Sequence, residues 1–176
     1  MADGDSSDNL LTDEPQTTVS FVLNEAATTL AVPTSELLVD TLRDRQGLTG
    51  TRIGCDQGSC GACTVLIDGS PIASCSTFTW AADGATVASI EGVGTPQRLS
   101  PEQAAFADGS AFQCGYCTPG LVLTTTALLR EVPDPDDATI REWLSSNICR
   151  CTGYQMIIDA VKAAAQKRTT VALETP

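Results

Sequence analysis

The first part of the chain alternates between apolar and polar residues in the manner of β-strands. Apolar side chains recur at every second position over residues 19–23 and again over residues 30–32. Alternation of this kind is typical of a half-buried strand. We therefore predict a β-hairpin with its turn near Asn24-Glu25.

A second hairpin is predicted over residues 64–74. Two short apolar runs there flank Asp68-Gly69, a dipeptide that favours two-residue turns between antiparallel strands. The alternating residues of 85–92 predict one more strand, after which the pattern changes.

Helical spacing and capping residues predict five helices. The first is short, is capped by Thr34 or Ser35 and ends at Gly47. From residue 100 onward the pattern is helical throughout, and most of the starts carry a cap residue, an early proline or a capping box. The later helices are predicted to begin at Ser100, Thr118, Thr139 and about Tyr154, and the last to end at about Lys167.

Together these elements predict an α+β protein with two small domains. A mixed domain over residues 16–92 and a helical domain over residues 100–168 are joined by a linker, residues 93–99. A length of 176 residues allows one ordinary domain or two small ones, and small domains commonly depend on a metal centre for stability. Residues 1–15 are interpreted as a disordered acidic tail and residues 169–176 as a C-terminal tail.

The composition excludes several classes of function. A net charge of −12 would be repelled by phosphate backbones, so we do not expect nucleic-acid binding. No segment approaches the roughly 20 consecutive apolar residues that span a bilayer, and the acidic start does not resemble a secretory signal. We therefore expect a cytoplasmic protein without membrane insertion, in which cysteines bind metal more often than they form disulfides.

Eight cysteines fall into two sets of four. The first cysteine set has the spacing C-x4-C-x2-C followed by a fourth cysteine, which is typical of plant-type [2Fe–2S] ferredoxins. Nearby glycines permit the positive φ angles and close backbone approach that a cluster loop requires. Structural zinc also accepts four thiolates, but zinc modules usually carry C-x2-4-C pairs. The first cysteine set consists of Cys55, Cys60, Cys63 and Cys75.

The second cysteine set combines a C-x2-C pair with a C-x-C pair. By spacing alone it could hold zinc, whereas a CxxC redox motif would usually accompany a βαβ pattern that the sequence does not predict. The first cysteine set in the same chain favours a second iron–sulfur cluster. The second cysteine set consists of Cys114, Cys117, Cys149 and Cys151.

No catalytic residue is predicted on this chain. It has no histidine, and no carboxylate pair stands in a recognisable pocket motif. The Gly-Val-Gly of residues 92–94 lacks the third glycine and the preceding strand of a dinucleotide-binding fingerprint. We therefore expect substrate chemistry to take place on a partner chain.

Three stretches of the sequence, GCDQGSCGACTVLIDG, AFQCGYCTPG and NICRCTGY, stand out as long motifs. Together they resemble the signature segments of the small iron–sulfur subunit of molybdenum hydroxylases, the superfamily of xanthine dehydrogenase and carbon monoxide dehydrogenase. The resemblance covers about residues 17–167, with the motifs in the expected order and separation.

The resemblance implies a fold and a cofactor for each half. Residues 16–92 would form a β-grasp, plant-type ferredoxin-like domain in which the first cysteine set binds one [2Fe–2S] cluster. Residues 100–168 would form a four-helix domain in which the second cysteine set binds another. Gln113 matches a position that contacts the pterin cofactor of the large subunit; without the resemblance it would be interpreted as a helix-end residue bonding its own backbone.

The resemblance also implies partners. These are a large subunit with molybdopterin cytosine dinucleotide and a medium subunit with FAD, in a heterotrimer that can dimerise. The helical-domain cluster would lie beside the molybdopterin and the ferredoxin cluster towards FAD, so that the chain relays single electrons to FAD or another acceptor. The alternatives are a free-standing two-cluster ferredoxin and a zinc or disulfide scaffold without redox function.

Overall fold

The computed structural model describes residues 14–174, with side chains described up to residue 168. Residues 1–13 of the predicted tail lie outside the described residues. The described chain combines a mixed sheet with helices, which confirms the predicted α+β class. No helix between residues 14 and 174 is long and apolar enough to cross a membrane.

The sheet unites the two predicted hairpins. Its strands are β1 (Gln16–Leu23), β2 (Ala26–Pro33), β3 (Thr64–Ile67), β4 (Ser70–Ala73) and β5 (Thr86–Ala88). β1 pairs with β2 and β3 with β4, both antiparallel, so both hairpin predictions are confirmed. The order is β2-β1-β5-β3-β4, because β5 lies parallel to β1 and antiparallel to β3. The last predicted strand therefore joins the hairpins into one sheet.

The short helix after β2 begins later than predicted. Helix α1 (Leu38–Asp40) continues as a π-helix over Thr41–Arg45, and it has no side-chain cap at its start. The predicted capping by Thr34 or Ser35 was wrong. The competing interaction is tertiary: Leu37 forms a β-bridge with Phe78, and the N–H of Leu38 donates to a carbonyl of that same segment.

The helices after residue 100 follow the predicted order. They are α2 (Pro101–Asp108), α3 (Thr118–Glu131), α4 (Asp137–Leu144) and α5 (Gln155–Glu174). Ser100 and Gln103 form the predicted capping box. The predicted box at Thr139 was wrong, because Asp136 caps α4 by accepting from the Thr139 N–H at 2.8 Å. Helix α5 extends beyond the predicted end at about Lys167.

Short 3-10 segments complete the fold and place the fourth cysteine of the first set. They span Ser74–Ser76, Thr79–Ala82 and Ile90–Gly92. One apolar core lies on the sheet and another among the helices. A smaller cluster joins the two halves, because Leu66 of β3 packs against Leu123 and Ala127 of α3. The cysteine loops lie beside this junction.

Candidate metal centres

The first cysteine set lies on one glycine-rich loop and one short turn. Three members precede β3, and Cys75 sits in the 3-10 turn directly after β4. Gly58 and Gly61 both have positive φ, 73° and 70°, so the sequence bends the loop where L-residues would be strained. The β3–β4 hairpin thus returns Cys75 to the loop, as the Asp68-Gly69 turn predicted.

Backbone N–H groups of this loop point at the sulfur atoms. Ser59 N and Cys60 N each lie 3.3 Å from Cys55 Sγ, and Gly58 N lies 3.3 Å from Cys75 Sγ. Donors aimed at sulfur stabilise thiolate, and they also stabilise the electron-rich sulfur of a reduced cluster. The loop is therefore arranged to hold negatively charged sulfur.

The thiols of the first cysteine set differ in how readily they ionise. Hydrogen bonding from Ser59 and the Gln57 backbone lowers the pKa of Cys55 to about 6. Burial, together with neighbouring Cys63, raises the pKa of Cys75 to about 12. A buried thiolate such as that of Cys75 is costly unless a cation neutralises it, so this sulfur suits a positively charged metal that displaces its proton.

The second cysteine set comes from two loops of the helical half. Cys114 and Cys117 precede α3, while Cys149 and Cys151 lie between α4 and α5. Cys151 Sγ lies 3.6 Å from Cys114 Sγ, and burial together with neighbouring Cys149 raises the pKa of Cys117 to about 12. Two pairs of cysteines separated by more than 30 positions therefore meet at one place.

One cavity of about 250 Å³ lies between the loops of the two sets. All four members of the second cysteine set line it, and Cys55 and Cys60 of the first set line its other side. Because all four cysteines of the second set line this space, it is the candidate site for the metal centre of that set. The two cysteine sets therefore lie close to one another, although each is formed by its own loops.

Two residues after the C-x-C pair organise the second set. The Tyr154 hydroxyl accepts from Cys149 N–H at 2.8 Å and donates to the Asn147 carbonyl at 2.8 Å. Thr152 Oγ1 lies 3.1 Å from Cys149 Sγ, and a deprotonated sulfur can only accept from that hydroxyl. The sequence analysis did not single out Tyr154 for this role; its place in the Cys-Thr-Gly-Tyr run of residues 151–154 was the available signal.

Gln113 is exposed in the loop immediately before Cys114. It does not lie at a helix end, because α2 ends at Asp108 and α3 begins at Thr118. Its neighbour Cys114 is also exposed, and the Cys114 sulfur lies 3.6 Å from Cys151 Sγ. The predicted contact with a pterin of another subunit stays a prediction.

The sulfur atoms interact in pairs. No three Cys, Asp or Glu side chains among the described ones gather closely enough to hold a single metal ion. Each iron of a [2Fe–2S] cluster takes two cysteine ligands, so pairs of thiols are the arrangement that such a cluster requires. The sulfurs of Cys114 and Cys151 lie 3.6 Å apart, and Cys63 and Cys149 are the cysteines that most raise the pKa of Cys75 and of Cys117.

Family comparisons divide the chain between two iron–sulfur families. Residues 21–88 match the family described as "2Fe-2S iron-sulfur cluster binding domain". Residues 89–162 match the family described as "[2Fe-2S] binding domain". Each match contains one complete cysteine set, so each half has its own [2Fe–2S] cluster.

Similar proteins extend over most of the chain. The nicotinate dehydrogenase small FeS subunit of Eubacterium barkeri is 42% identical over 150 residues, covering 85% of this chain and 96% of that protein. The crystal structure of quinoline 2-oxidoreductase from Pseudomonas putida 86 includes a chain that is 41% identical, with a TM-score of 0.84, covering 88% of this chain and 97% of its own. Aldehyde oxidoreductase from Desulfovibrio gigas is 40% identical with a TM-score of 0.85, and the match takes up only 17% of that longer chain.

Proposed function

This chain belongs to the small iron–sulfur subunits of the molybdenum hydroxylase family, and from that premise we propose its place in an electron-transfer sequence. It receives single electrons from a molybdopterin centre on a large subunit and passes them to FAD on a medium subunit or to another acceptor. The observation that carries the proposal is one cavity lined by all four cysteines of the second set and by Cys55 and Cys60 of the first.

The contacts among the cysteines support a ligand assignment. We assign the first cysteine set to one [2Fe–2S] cluster and the second cysteine set to the other. A bound [2Fe–2S] cluster accepts and releases one electron at a time. The surrounding residues hold the thiolates in place: backbone N–H groups of the 58–60 loop donate to sulfur, and Tyr154 fixes the Cys149 backbone.

The two cysteine sets differ in how exposed their most accessible cysteines are to solvent. Cys63 and Cys75 are 1% and 4% exposed, whereas Cys114 and Cys151 are exposed. An exposed sulfur pair suits a centre that a partner subunit covers. We therefore assign the face with Gln113 and Cys114 to the molybdopterin-binding subunit, where Gln113 would contact molybdopterin cytosine dinucleotide.

The assembly we propose is a cytoplasmic heterotrimer, which can dimerise, with the domain limits 16–92 and 100–168 predicted above. Relatives named as subunits support it over a free-standing ferredoxin. Co-expression with neighbouring genes followed by size exclusion tests it: the chain should elute with a large and a medium partner. Elution of this chain alone, near its own mass of 18.3 kDa, would support the free-standing alternative.

Replacing Cys114 with Ser tests the ligand assignment. The variant should lose the EPR signal of the second cluster, keep that of the first, and block electron flow from substrate to acceptor. Iron should fall from about four per chain to about two, because each [2Fe–2S] cluster contains two irons.

The matched control is Cys55→Ser, which should remove the other EPR signal and leave the second cluster. If Cys114→Ser kept both signals, the assignment of the second cysteine set would be wrong. If it lost one signal but kept full substrate-to-acceptor activity, the clusters would not act in series.

A further inference from the structure

Two aromatic side chains lie exposed on the surface of the ferredoxin-like half. Phe78 and Trp80 are 43% and 48% exposed, and their rings stack with the centroids 5.6 Å apart and the planes 12° from parallel. Single exposed apolar residues are common, but two stacked rings form a contiguous apolar patch, which is typical of a binding surface. Tryptophan in particular is enriched among the residues that contribute most to binding. We call these two side chains the aromatic pair.

The fold holds the aromatic pair in place. Thr79, the residue between the two rings, is fully buried, and its hydroxyl lies 2.8 Å from Thr41 Oγ1. Trp80 Nε1 donates to Thr34 O at 3.0 Å, which fixes the indole from its other side. Because the rings are already fixed, a partner that covers them loses little binding free energy in ordering them.

The aromatic pair lies near the first cysteine set. Phe78 follows Cys75 by three positions, and its backbone forms a β-bridge with Leu37, at the start of α1. Val39 of α1 is fully buried and packs against Cys63 and Cys75. A partner seated on the aromatic pair and on α1 would therefore lie close to two members of the first cysteine set.

Carboxylates that lack a basic partner lie on the same side. Burial raises the pKa of Asp40 in α1, and the neighbouring carboxylates of Asp44, Asp56 and Glu36 raise it further. Glu36 pairs with Arg45, whereas the other three form no ion pair among the described residues. We call Asp40, Asp44 and Asp56 the acidic group. This surface therefore combines an apolar contact with unpaired negative charge.

This combination favours a basic partner that binds briefly over a permanent subunit. Aspartate and glutamate are depleted at the cores of protein interfaces, so an acidic group suits a permanent subunit poorly. Opposite charges around a small contact instead speed the encounter of weakly bound electron-transfer partners. The net charge of −12 adds an attraction at longer range for any basic protein.

We propose that the aromatic pair and the acidic group form a docking surface for a diffusible one-electron carrier protein with a positively charged face. The inference rests on the proposed ligand assignment. One electron leaves the reduced cluster of the first cysteine set, which is oxidised, and reduces the redox centre of the carrier. No bond forms or breaks and no proton is transferred. The surface thus gives the chain an exit for electrons that does not pass through FAD.

Cytochrome c is the probe for this surface, because it is a basic protein whose haem accepts one electron. The full chain, loaded with both clusters and reduced in the absence of oxygen, is mixed with oxidised cytochrome c, and the haem absorbance gives the second-order rate constant. Between about 10 mM and about 300 mM salt we expect this constant to fall about tenfold or more. Cytochrome c with acetylated lysines keeps the haem but loses the charge, and it should react more slowly at low salt.

Variants separate the docking surface from the net charge of the chain. Trp80→Ser should lower the rate constant about tenfold, as expected for loss of an aromatic anchor, whereas Trp80→Phe keeps a ring and should lower it less. Asp40→Asn should lower the rate constant and weaken its salt dependence. The matched control is Asp134→Asn in the helical half, which changes the net charge equally at another exposed carboxylate and should leave the rate near that of the wild type.

Cluster loading distinguishes failure of this inference from failure of the proposed function. If iron content or EPR shows that the wild-type chain does not hold two clusters at these cysteines, the proposed function fails. With both clusters present, a Trp80→Ser chain that reduces cytochrome c as fast as the wild type would overturn the docking surface. Equal effects of Asp40→Asn and Asp134→Asn would also overturn it, because net charge alone would then explain the rate.

The co-expressed complex tests the other occupants of the surface. The Trp80→Ser chain should still elute with the same partners and in the same oligomeric state as the wild type. Loss of the FAD-binding subunit, or of a second copy of this chain, would show that a permanent partner covers the aromatic pair and would overturn the proposal.

Discussion

At the scale of single residues, the hydroxyl of Thr152, directly after Cys151, lies against a sulfur of the second cysteine set. It lies 3.1 Å from Cys149 Sγ and accepts from Tyr154 N–H, which orients its hydrogen towards the sulfur. Hydrogen bonds to cluster sulfur favour the reduced, more negative state and so raise the reduction potential. Thr152 is thus a positioning and tuning residue that touches a ligand.

Replacing Thr152 with Val should lower the midpoint potential of the second cluster. Loss of a hydrogen bond worth about 1 kcal/mol corresponds to at most about 40 mV for a one-electron couple. An EPR-monitored redox titration measures both clusters in the same sample. Thr152→Ser keeps the hydroxyl and should restore the wild-type value.

The cluster of the first cysteine set is the internal control in that titration. Its potential should not change in Thr152→Val, because its donors come from the backbone of residues 58–60. Equal potentials of the second cluster in the Val variant and the wild type would show that the contact does not tune it.

At the scale of elements, local signals predicted starts and turns where no distant segment competes. The capping box at Ser100 depends only on residues within one turn, and the turn at Asp68-Gly69 only on its own φ angles, 48° and 81°. By contrast, the start of α1 is set by pairing of Leu37 with Phe78, about 40 positions away. That pairing leaves no trace in the local sequence.

The start of α4 illustrates a different difficulty. Asp136 and Thr139 are both good cap residues, and Thr139 is followed by Glu142 at the spacing of a capping box. The structure selects Asp136, whose carboxylate accepts from Thr139 N–H. Two overlapping signatures of equal quality cannot be ranked from the sequence alone.

Replacing Ser100 with Ala should destabilise α2 and the helical half. Ser100 Oγ accepts from Gln103 N–H at 3.2 Å, and loss of such a cap typically costs about 1 kcal/mol. Chemical denaturation followed by circular dichroism measures the loss as a lower midpoint. Ser100→Thr retains a capping oxygen and serves as the comparison; equal midpoints for Ser100→Ala and the wild type would contradict the cap's contribution.

At the scale of the whole molecule, the sequence predicted both cysteine sets but not how they meet. Spacing identifies Cys55, Cys60 and Cys63 because those ligands share one loop. The contact between the two cysteine loops depends on Gly61, Gly120 and Asn147, which are far apart in sequence and have no motif in common. The packing of α3 against β3 lies beside the close approach of Gly120 to Gly61.

Replacing Gly120 with Ala tests the close approach of helix α3 to the loop of the first cysteine set. Alanine favours helix over glycine by about 1 kcal/mol, yet the new Cβ would lie 2.2 Å from Gly61 O. We expect the steric clash to outweigh the gain in helix propensity and to lower the unfolding free energy by about 1–3 kcal/mol, the usual cost of overpacking. Urea denaturation measures this, and EPR of the loaded protein reports disturbance of the first cluster.

Gly109→Ala is the matched control for that experiment. Gly109 is the C-cap residue of α2 and has a φ of −79°. A Cβ at this position would lie 3.1 Å from its nearest neighbour, the carbonyl oxygen of Ala105. Its effect should be smaller than that of Gly120→Ala. A Gly120→Ala variant as stable as the wild type would mean that the two backbones can separate freely.

The hydrogen bonds that Ile148 N–H and Asn147 Nδ2 donate to the carbonyls of Cys60 and Gly61, both 2.8 Å long, have a consequence for biosynthesis. The ribosome synthesises the N-terminal half first, and the two donor residues follow the glycine-rich loop by more than 80 positions. The loop therefore emerges without these two donors and obtains them only after residue 148 has been synthesised. A chain truncated before residue 147 would keep the loop without either hydrogen bond.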